Sequence, residues 1–402
     1  MTKSTLRKRF RKLFRAFPFG SGSSLQVLAF SCGLLAAIPN ASAQQLPIKV
    51  ENDPAARSIT ITAGGKPFTT FIYPDSLAKP VLYPIYAADG QLITRGFPLR
   101  PRTGEPVDHP HHLGLWFNYE NVNGLDFWNN SYAIPAAKKD KYGWIRTDSI
   151  LQAGTFTGTD GNHYPNTNTA NPISTGRAAP SHASGAKLAN STGIIRYVAR
   201  WTDTKQNVLL TEHTTYVFSA DKQQRIIDRF TTLTAVTDVR FPDAKDGMLG
   251  LRVTKELQIP SKTPGEFVDD KGNITKVAAG NSPDINGTYL TSEGKTGDSA
   301  WGTRGTWCLM YGKKQQDTLS IAIIDHPENP GYPTYWHARG YGLFAANPLG
   351  QKIFSNGSKI MNFHLAPGQS ATFRYRIVIA AGNSRLSTEK INRLADDFAR
   401  VR

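Results

Sequence analysis

The sequence has two cysteines, Cys32 and Cys308, and no run of about 20 apolar residues, the length that a transmembrane helix needs. If the N-terminal leader described below is removed, Cys308 is the one cysteine left and no intrachain disulfide can form. The hydrophobic core must then stabilise the fold, and a chain of this length can build such a core. The sequence also contains neither a Gly-x-Ser-x-Gly elbow nor a P-loop, the patterns of α/β-hydrolases and of many nucleotide-binding proteins.

The first 43 residues have the pattern of a secretory signal peptide. Basic residues without a single acid come first, an apolar segment covers residues 25–38, and small residues end the leader at Ala43. We predict cleavage near Ala43 and a mature protein that begins at Gln44 and is periplasmic or secreted. A retained membrane anchor is the alternative, but the apolar segment is short for a bilayer span.

Basic residues outnumber acidic residues in this chain. It has 47 Lys and Arg against 31 Asp and Glu, and the seven basic residues of the leader leave 40 in the mature protein. This surplus is spread along the chain without long Lys/Arg runs, so we predict no nucleic-acid partner. The charge permits an acidic glycan as a partner but does not imply one.

Short alternating segments separated by Gly, Pro, Asn and Asp predict an all-β protein. Residues 48–51 and 58–62 read as strands, a Gly-Gly turn follows the second, and similar segments recur as far as residue 380. No helical pattern alternates with them. We therefore predict a large antiparallel β-sandwich that forms one domain over residues 44–402.

Two segments depart from the strand pattern. Residues 156–191 are rich in small and polar residues and short of large aliphatic ones, which predicts a surface loop insertion, either a lid over a binding face or an inert segment. Residues 387–400 predict an amphipathic C-terminal helix. Ser387 is its N-cap, and Leu386 and Ile391 form a hydrophobic staple.

The most unusual motif is Asp108-His109-Pro110-His111-His112, which contains three of the nine histidines. Imidazoles titrate near neutral pH and transfer protons, so the cluster favours a functional role over a structural one. If the segment is extended, His109 and His111 point to one side, and Asp108 and His112 to the other. A His-x-His pair can bind a metal, but no Glu or Cys stands nearby in a familiar ligand spacing. We predict no metal site and keep a divalent metal as an alternative.

Aromatic residues surround this motif. Sugars have apolar faces and polar edges, so a carbohydrate cleft needs aromatic rings beside polar side chains. We predict that Trp116 and Trp128 are stacking surfaces for a sugar. About half of the aromatic residues are expected to belong to the core of the sandwich instead.

A second block, residues 325–354, repeats Asp-His-Pro and contains further candidates. We predict His326 and His337 as acid/base groups and Trp336 as a stacking surface. Arg339 can hold a carboxylate or hydroxyl groups with its fork of donors, and Tyr341 adds a phenol. Because isolated imidazole clusters gain nothing from being separate, we expect the two blocks to meet in one cleft.

Two charged residues on predicted strands lie between the blocks. A strand Glu with an Arg most often forms an internal ion pair, since a buried charge needs a partner. The alternative is that Glu212 and Arg252 contact the substrate. We keep both as candidate substrate-binding residues.

Together these motifs resemble the bacterial family known as "methane oxygenase PmoA-like". The similarity covers roughly residues 45–382, and Leu113 departs from the family pattern, which has an arginine there. The resemblance implies an exported protein of a polysaccharide-degrading bacterium. The all-β pattern also resembles the galactose-mutarotase-like supersandwich. The family motifs lie at residues 79–80, 89–90, 108–117, 123–128, 246–252, 325–329 and 336–348.

We therefore predict an exported carbohydrate-active enzyme that cleaves or rearranges a glycoside by proton transfer, without a cofactor. Two other functions stay open: a non-catalytic sugar-binding module that uses the same aromatic residues, and a metal-dependent oxygenase, which the family name implies. The candidate catalytic residues are Asp108, His109, His111, His112, His326 and His337.

Overall fold

The computed structural model describes residues 44–157, 191–261, 264–269, 271–277 and 284–401. The predicted signal peptide and most of the predicted insertion lie outside these residues. The strands are β1 (Ile48–Asp53), β2 (Ser58–Ala63), β3 (Lys66–Ile72), β4 (Val81–Ile85), β5 (Leu115–Tyr119), β6 (Trp144–Thr157), β7 (Ser191–Thr202), β8 (Val208–Ala220), β9 (Gln224–Ala235), β10 (Val239–Phe241), β11 (Gly247–Arg252), β12 (Gly265–Val268), β13 (Ile274–Val277), β14 (Thr288–Thr291), β15 (Trp307–Lys314), β16 (Asp317–Asp325), β17 (Tyr335–Arg339), β18 (Leu343–Asn347), β19 (Phe363–Leu365) and β20 (Ser370–Gly382). The helices are α1 (Gln351–Phe354), α2 (Thr388–Phe398) and the 3-10 turns Ala136–Lys141, Lys255–Leu257 and Gly297–Ala300.

Sixteen of these strands form two large antiparallel sheets. Sheet A has the order β1-β2-β3-β4-β5-β11-β18-β17, and sheet B has the order β14-β15-β16-β20-β9-β8-β7-β6. The pairs β10–β19 and β12–β13 form two small sheets. This arrangement confirms the prediction of a large antiparallel β-sandwich.

The main core lies between the two sheets because the strands alternate their side chains. Leu115 and Phe117 of β5 join the same buried cluster as Tyr197 of β7. The rings of Phe71 in sheet A and Tyr197 in sheet B stack with centroids 4.8 Å apart. Trp116, between Leu115 and Phe117, points to the opposite side and belongs to a separate cluster on the outer face of sheet A.

The C-terminal helix covers the outer face of sheet B. It runs from Thr388 to Phe398, slightly shorter than predicted, and the Ser387 side chain accepts a hydrogen bond from the Lys390 amide as its N-cap. Ile391 and Phe398 are buried in a cluster with Val378 and other residues of sheet B. Among the described residues, no helix is long and apolar enough to cross a membrane.

The bounds predicted for the insertion are wrong at both ends. Phe156 and Thr157 belong to β6, Ser191 begins β7, and Thr157 pairs with Ser191 in the antiparallel register. This long-range pairing extends the two strands into a segment whose composition had indicated a loop. The rest of the predicted insertion lies outside the described residues.

Candidate active site

The Asp108–His112 motif forms a tight turn rather than an extended segment. The His112 amide donates to the His109 carbonyl at 3.0 Å, and His109 has a φ of 48°. This left-handed conformation is uncommon outside glycine and costs on the order of 1–3 kcal/mol. The expected alternation of side chains is therefore wrong, because the turn brings all three imidazoles together.

Four nearly parallel rings in this region, which we call the histidine stack, are linked by successive stacking contacts, with the His112 and Tyr341 centroids 6.4 Å apart: Trp116, His112, His109 and Tyr341. Successive ring centroids lie 5.1, 4.8 and 4.8 Å apart, with interplanar angles of 20°, 5° and 7°. His111 meets His109 and His112 edge-on. Tyr341 comes from the second sequence block, so residues of the two blocks meet here, whereas the prediction of one cleft shared by their histidines stays a prediction.

Gly250 provides the space at the base of the stack. It pairs with Trp116 across sheet A, and a Cβ at this position would lie 2.5 Å from the Trp116 ring and 2.8 Å from the Trp128 ring. Only glycine lets both indoles lie this close to the strand. Trp116 and Trp128 are almost completely buried, so neither ring offers a free face for the sugar stacking that we expected of them.

Asp108 is held by three partners. Its Oδ1 lies 2.6 Å from both Arg95 Nη1 and Arg252 Nη2, and its Oδ2 lies 2.6 Å from His109 Nδ1. Burial raises the pKa of Asp108, but the hydrogen bond from His109 and the charges of Arg252 and Arg95 outweigh this and lower it well below the ordinary range. Asp108 therefore stays an anion and an acceptor.

The ionised Asp108 sets the orientation of His109. A carboxylate only accepts, so His109 carries a proton on Nδ1 and leaves Nε2 free to exchange a proton with a ligand. The His109 side chain is 38% exposed and that of Asp108 is 35% exposed. His109 is thus an oriented and accessible imidazole, as general acid/base catalysis requires.

His111 and His112 are buried beneath His109. Burial, followed by the charge of Lys79, lowers the pKa of His111 to about 2. Burial also lowers the pKa of His112 well below its ordinary value, with the charge of His111 as the next cause. Both rings are neutral at physiological pH, so they support His109 rather than share its accessible position.

His337 lies two strands away from Gly250 on the same face of sheet A, because Ala345 pairs with both residues. Its Nδ1 lies 3.2 Å from the Asp246 carboxylate and 3.2 Å from the Lys245 carbonyl. Burial raises the pKa of Asp246 to about 6. Burial, with the charges of Lys245 and Arg339, lowers the pKa of His337 to about 3. At neutral pH, Asp246 is thus an anion beside a neutral imidazole, whose Nδ1 donates to the Lys245 carbonyl.

Lys79 lies at the Trp116 end of the histidine stack. Its ammonium lies 5.4 Å from the centroid of the Trp116 ring and donates to the Trp128 carbonyl at 3.0 Å. Burial lowers the pKa of Lys79 to about 7, and the charge of Asp126 only partly opposes this. The Lys79 amine is therefore only partly protonated at neutral pH.

Of the two arginines predicted to bind the substrate, only Arg339 is accessible to solvent. Arg252 is fully buried and donates to Asp108 and to His112 Nδ1, so its role is to hold the turn, and the prediction that it contacts substrate is wrong. Arg339 is exposed at the end of β17. Its guanidinium carbon lies 5.8 Å from the Tyr341 ring centroid, and burial raises the pKa of the Tyr341 phenol to about 12.

Three predicted site residues lie elsewhere. His326 is buried against α2, where its Nε2 lies 3.1 Å from the Val401 carbonyl and its ring meets Phe398 edge-on. Trp336 is buried in the main core, on the opposite side of β17 from His337. Glu212 is buried in sheet B and accepts from Arg229 Nη2 at 2.8 Å. The catalytic, stacking and substrate-binding roles predicted for these three are therefore wrong, because each is enclosed by protein.

Sequence reasoning left three residues of this region out of the candidate site. Arg95 is buried and donates to Asp108 and to the carbonyls of Pro106 and His109. Lys79 and Asp246 belong to motifs of the resembled family but were given no role. For Arg95 and Lys79 the signal was a charge beside apolar residues, as in Leu92-Ile93-Thr94-Arg95, because such a charge needs a buried partner, whereas Asp246 lies in a charged segment without this signal.

Two surface cavities, of about 600 and 850 Å³, lie beside β20 and β15, and neither is lined by a residue of the histidine stack. Among the described residues, no three His, Cys, Asp or Glu side chains are grouped so that they could hold a metal ion.

Comparison with known proteins identifies the family and finds distant similarity to several solved structures. Similar solved structures include a galactose mutarotase-like protein from Clostridium acetobutylicum, with 11% identity over 84% of this chain and 99% of that chain and a TM-score of 0.34. A candidate aldose 1-epimerase from Escherichia coli K12 has 9% identity, coverage of 84% and 99%, and a TM-score of 0.31. A candidate kojibiose phosphorylase from the human microbiome has 8% identity over 52% of this chain and a TM-score of 0.24.

The similarity covers only 20% of the phosphorylase. TM-scores this low carry no argument about function. No curated protein matches the sequence significantly. The model of a family of unknown function, DUF6807, matches residues 58–396, and the chain therefore belongs to that family.

Proposed function

We propose that this protein is an exported enzyme that acts on a carbohydrate by histidine acid/base chemistry, with His109 as the group that exchanges a proton with the substrate. The observation that carries the proposal is the Asp108–His109 pair. One nitrogen of the imidazole is held 2.6 Å from an ionised carboxylate, and the ring is 38% exposed. Export rests on the predicted signal peptide and stays a prediction.

The surroundings of His109 support this role in two ways. Arg95 and Arg252 prevent Asp108 from turning away, and the flanking rings of His112 and Tyr341 hold the imidazole plane. The left-handed backbone of His109 is maintained against its conformational cost, a property that clusters at functional sites. The exposed His364 also lies 2.6 Å from a carboxylate, that of Asp238, so the stacked rings, the two buried arginines and the left-handed backbone are what distinguish His109.

Replacement of His109 by asparagine tests the proposal. Asparagine tolerates a φ of 48° and keeps a donor for Asp108, so the turn should survive while the titratable nitrogen is lost. The matched control is His364→Asn, because His364 is an exposed histidine whose Nε2 lies 2.6 Å from Asp238 on the small β10–β19 sheet.

The measurement is the release of reducing ends, and the change in anomeric or linkage signals by NMR, across a panel of glycans. We expect His109→Asn to lower turnover by about 10²–10⁴-fold and His364→Asn to leave it unchanged. Equal turnover by His109→Asn and wild type would overturn the proposal. Binding of a glycan without any turnover by wild type would favour the sugar-binding module. Activity that a chelator abolishes and one divalent metal restores would favour the metal-dependent alternative.

A further inference from the structure

Arg339 is an exposed cation beside the proposed catalytic histidine. Its guanidinium carbon lies 5.8 Å from the centroid of Tyr341, and Tyr341 stacks on His109 at 4.8 Å. A second ring, Trp301, lies 5.7 Å from the same guanidinium carbon. Two aromatic rings thus flank one guanidinium and limit its orientations, so that less freedom is lost when it binds a ligand.

Arg339 forms no ion pair within the described part of the chain. No Asp or Glu oxygen of the described residues lies within 4.0 Å of its guanidinium nitrogens, whereas Arg95 and Arg252 both pair with Asp108. Lys245, the other exposed cation near His337, lies 3.5 Å from Asp246. Asp298 approaches the neighbouring Gly340 but forms no ion pair with Arg339.

We infer that Arg339 binds the carboxylate of the substrate, and that the substrate is an acidic carbohydrate containing a uronic acid. A guanidinium presents parallel N–H donors that match the two oxygens of a carboxylate, and Arg339 offers this fork over Tyr341, the ring that stacks on His109. A neutral sugar would leave this cation with only hydroxyl partners. The inference rests on the proposed function, since it names the substrate class of the same site.

The test compares acidic oligosaccharides with their neutral counterparts. The probes are short fragments of pectate, alginate and glucuronoxylan, and the same fragments after reduction of each carboxylate to a hydroxymethyl group. Binding to the mature wild-type chain is measured by titration calorimetry. We expect at least one acidic fragment to bind about 10- to 100-fold more tightly than its reduced form, the range of a hydrogen bond to a charged group.

Arg339→Gln should remove this preference, and Arg339→Lys should restore only part of it, because lysine keeps the charge but not the fork. The control is Arg385→Gln, since Arg385 also stacks on a tyrosine, 5.3 Å from the centroid of Tyr311, and lies outside the histidine stack. The control variant should keep the wild-type preference. Equal binding of acidic and reduced fragments, or no binding of any acidic fragment, would overturn the inference.

The same experiment separates this inference from the proposed function. If a neutral glycan is turned over in a His109-dependent way and acidic fragments show no preference, the inference fails and the proposed function stands. If acidic fragments bind through Arg339 but wild type turns over none of the glycans, the proposed function fails, and Arg339 stands as a carboxylate-binding residue of a sugar-binding protein.

Discussion

Nδ1 of His112 lies 3.1 Å from Nη1 of Arg252, deep beneath the surface of the site. An arginine side chain can only donate hydrogen bonds, so this nitrogen of His112 must be the unprotonated acceptor. His112 is therefore a neutral ring with its proton on Nε2, which agrees with the lowering of its pKa by burial. The three neighbouring histidines thus have different roles, and the accessible one is stacked on a neutral neighbour.

Loss of Arg95 should destabilise the protein and disturb the turn. Arg95→Met leaves Asp108 with one arginine, removes the arginine donor to the Pro106 carbonyl, and leaves the His109 carbonyl with only the His112 amide as donor. We expect the free energy of unfolding to fall by about 3 kcal/mol, the low end for a broken buried ion pair, because Asp108 keeps Arg252. Urea unfolding measures this. Arg240→Met is the control, since Arg240 and Asp238 form an exposed pair, and its loss should cost less than about 1 kcal/mol.

Glu212 should contribute to the stability of the fold and not to glycan binding at the candidate active site. Its carboxylate accepts from Tyr197, Trp201 and Arg229 within sheet B. Glu212→Gln leaves the buried Arg229 without a counter-charge, so we expect a loss of about 3–5 kcal/mol in the free energy of unfolding. Glycan binding per folded molecule should not change.

The control for this variant is Glu266→Gln, because Glu266 is exposed and lies 3.9 Å from Lys276. It should change the unfolding free energy by less than about 1 kcal/mol. A Glu212→Gln protein of wild-type stability with weakened glycan binding would return Glu212 to the substrate-binding residues.

The fold was largely predictable because alternation of side chains is a local property. Residues 58–62 alternate, and they lie in β2, whose inward residues Ile59 and Ile61 are fully buried. The ends of the insertion were not predictable, since Phe156 and Thr157 become a strand only by pairing with residues more than thirty positions away. Composition describes a segment but carries no information about such a partner.

The residues that make up the candidate site could largely be predicted from the sequence, but their arrangement in space could not. The cluster of His109, His111 and His112 is visible in the sequence, but its turn depends on Arg95 and Arg252, which are distant along the chain. His326 was misplaced for a related reason. Its Asp-His-Pro motif matches the first in sequence, yet its imidazole is buried against the C-terminal helix, a contact that no local pattern records.

The stability contribution of Lys79 should depend on pH. Its pKa is about 7 in the folded protein and 10.5 ordinarily, because burial disfavours the charged ammonium. Between these values the unfolded chain binds more protons, so stability rises with pH from about 7 towards 10.5. Urea unfolding from pH 6.5 to 9 should show this rise in wild type and not in Lys79→Met. Lys49→Met, which changes an exposed lysine, should keep the wild-type slope. Equal slopes in all three proteins would contradict the lowered pKa.

Asp246 should make the stability of the protein fall, rather than rise, as the pH increases within the acidic range. Burial raises its pKa from 3.8 to about 6, so in this interval the folded protein binds more protons than the unfolded chain. Stability should therefore fall as pH rises from about 4 to about 6 and then stay level with respect to this group. Asp246→Asn is nearly isosteric and removes the titration, while His337 keeps its hydrogen bond to the Lys245 carbonyl. The unfolding free energy of the variant relative to wild type should thus rise by about 2–3 kcal/mol between pH 4 and pH 7. A titration of wild type followed by carboxyl-carbon NMR gives an independent value for the pKa of Asp246. If the difference in unfolding free energy between the variant and wild type stays constant from pH 4 to pH 7, the Asp246 carboxyl is not buried as the structure describes.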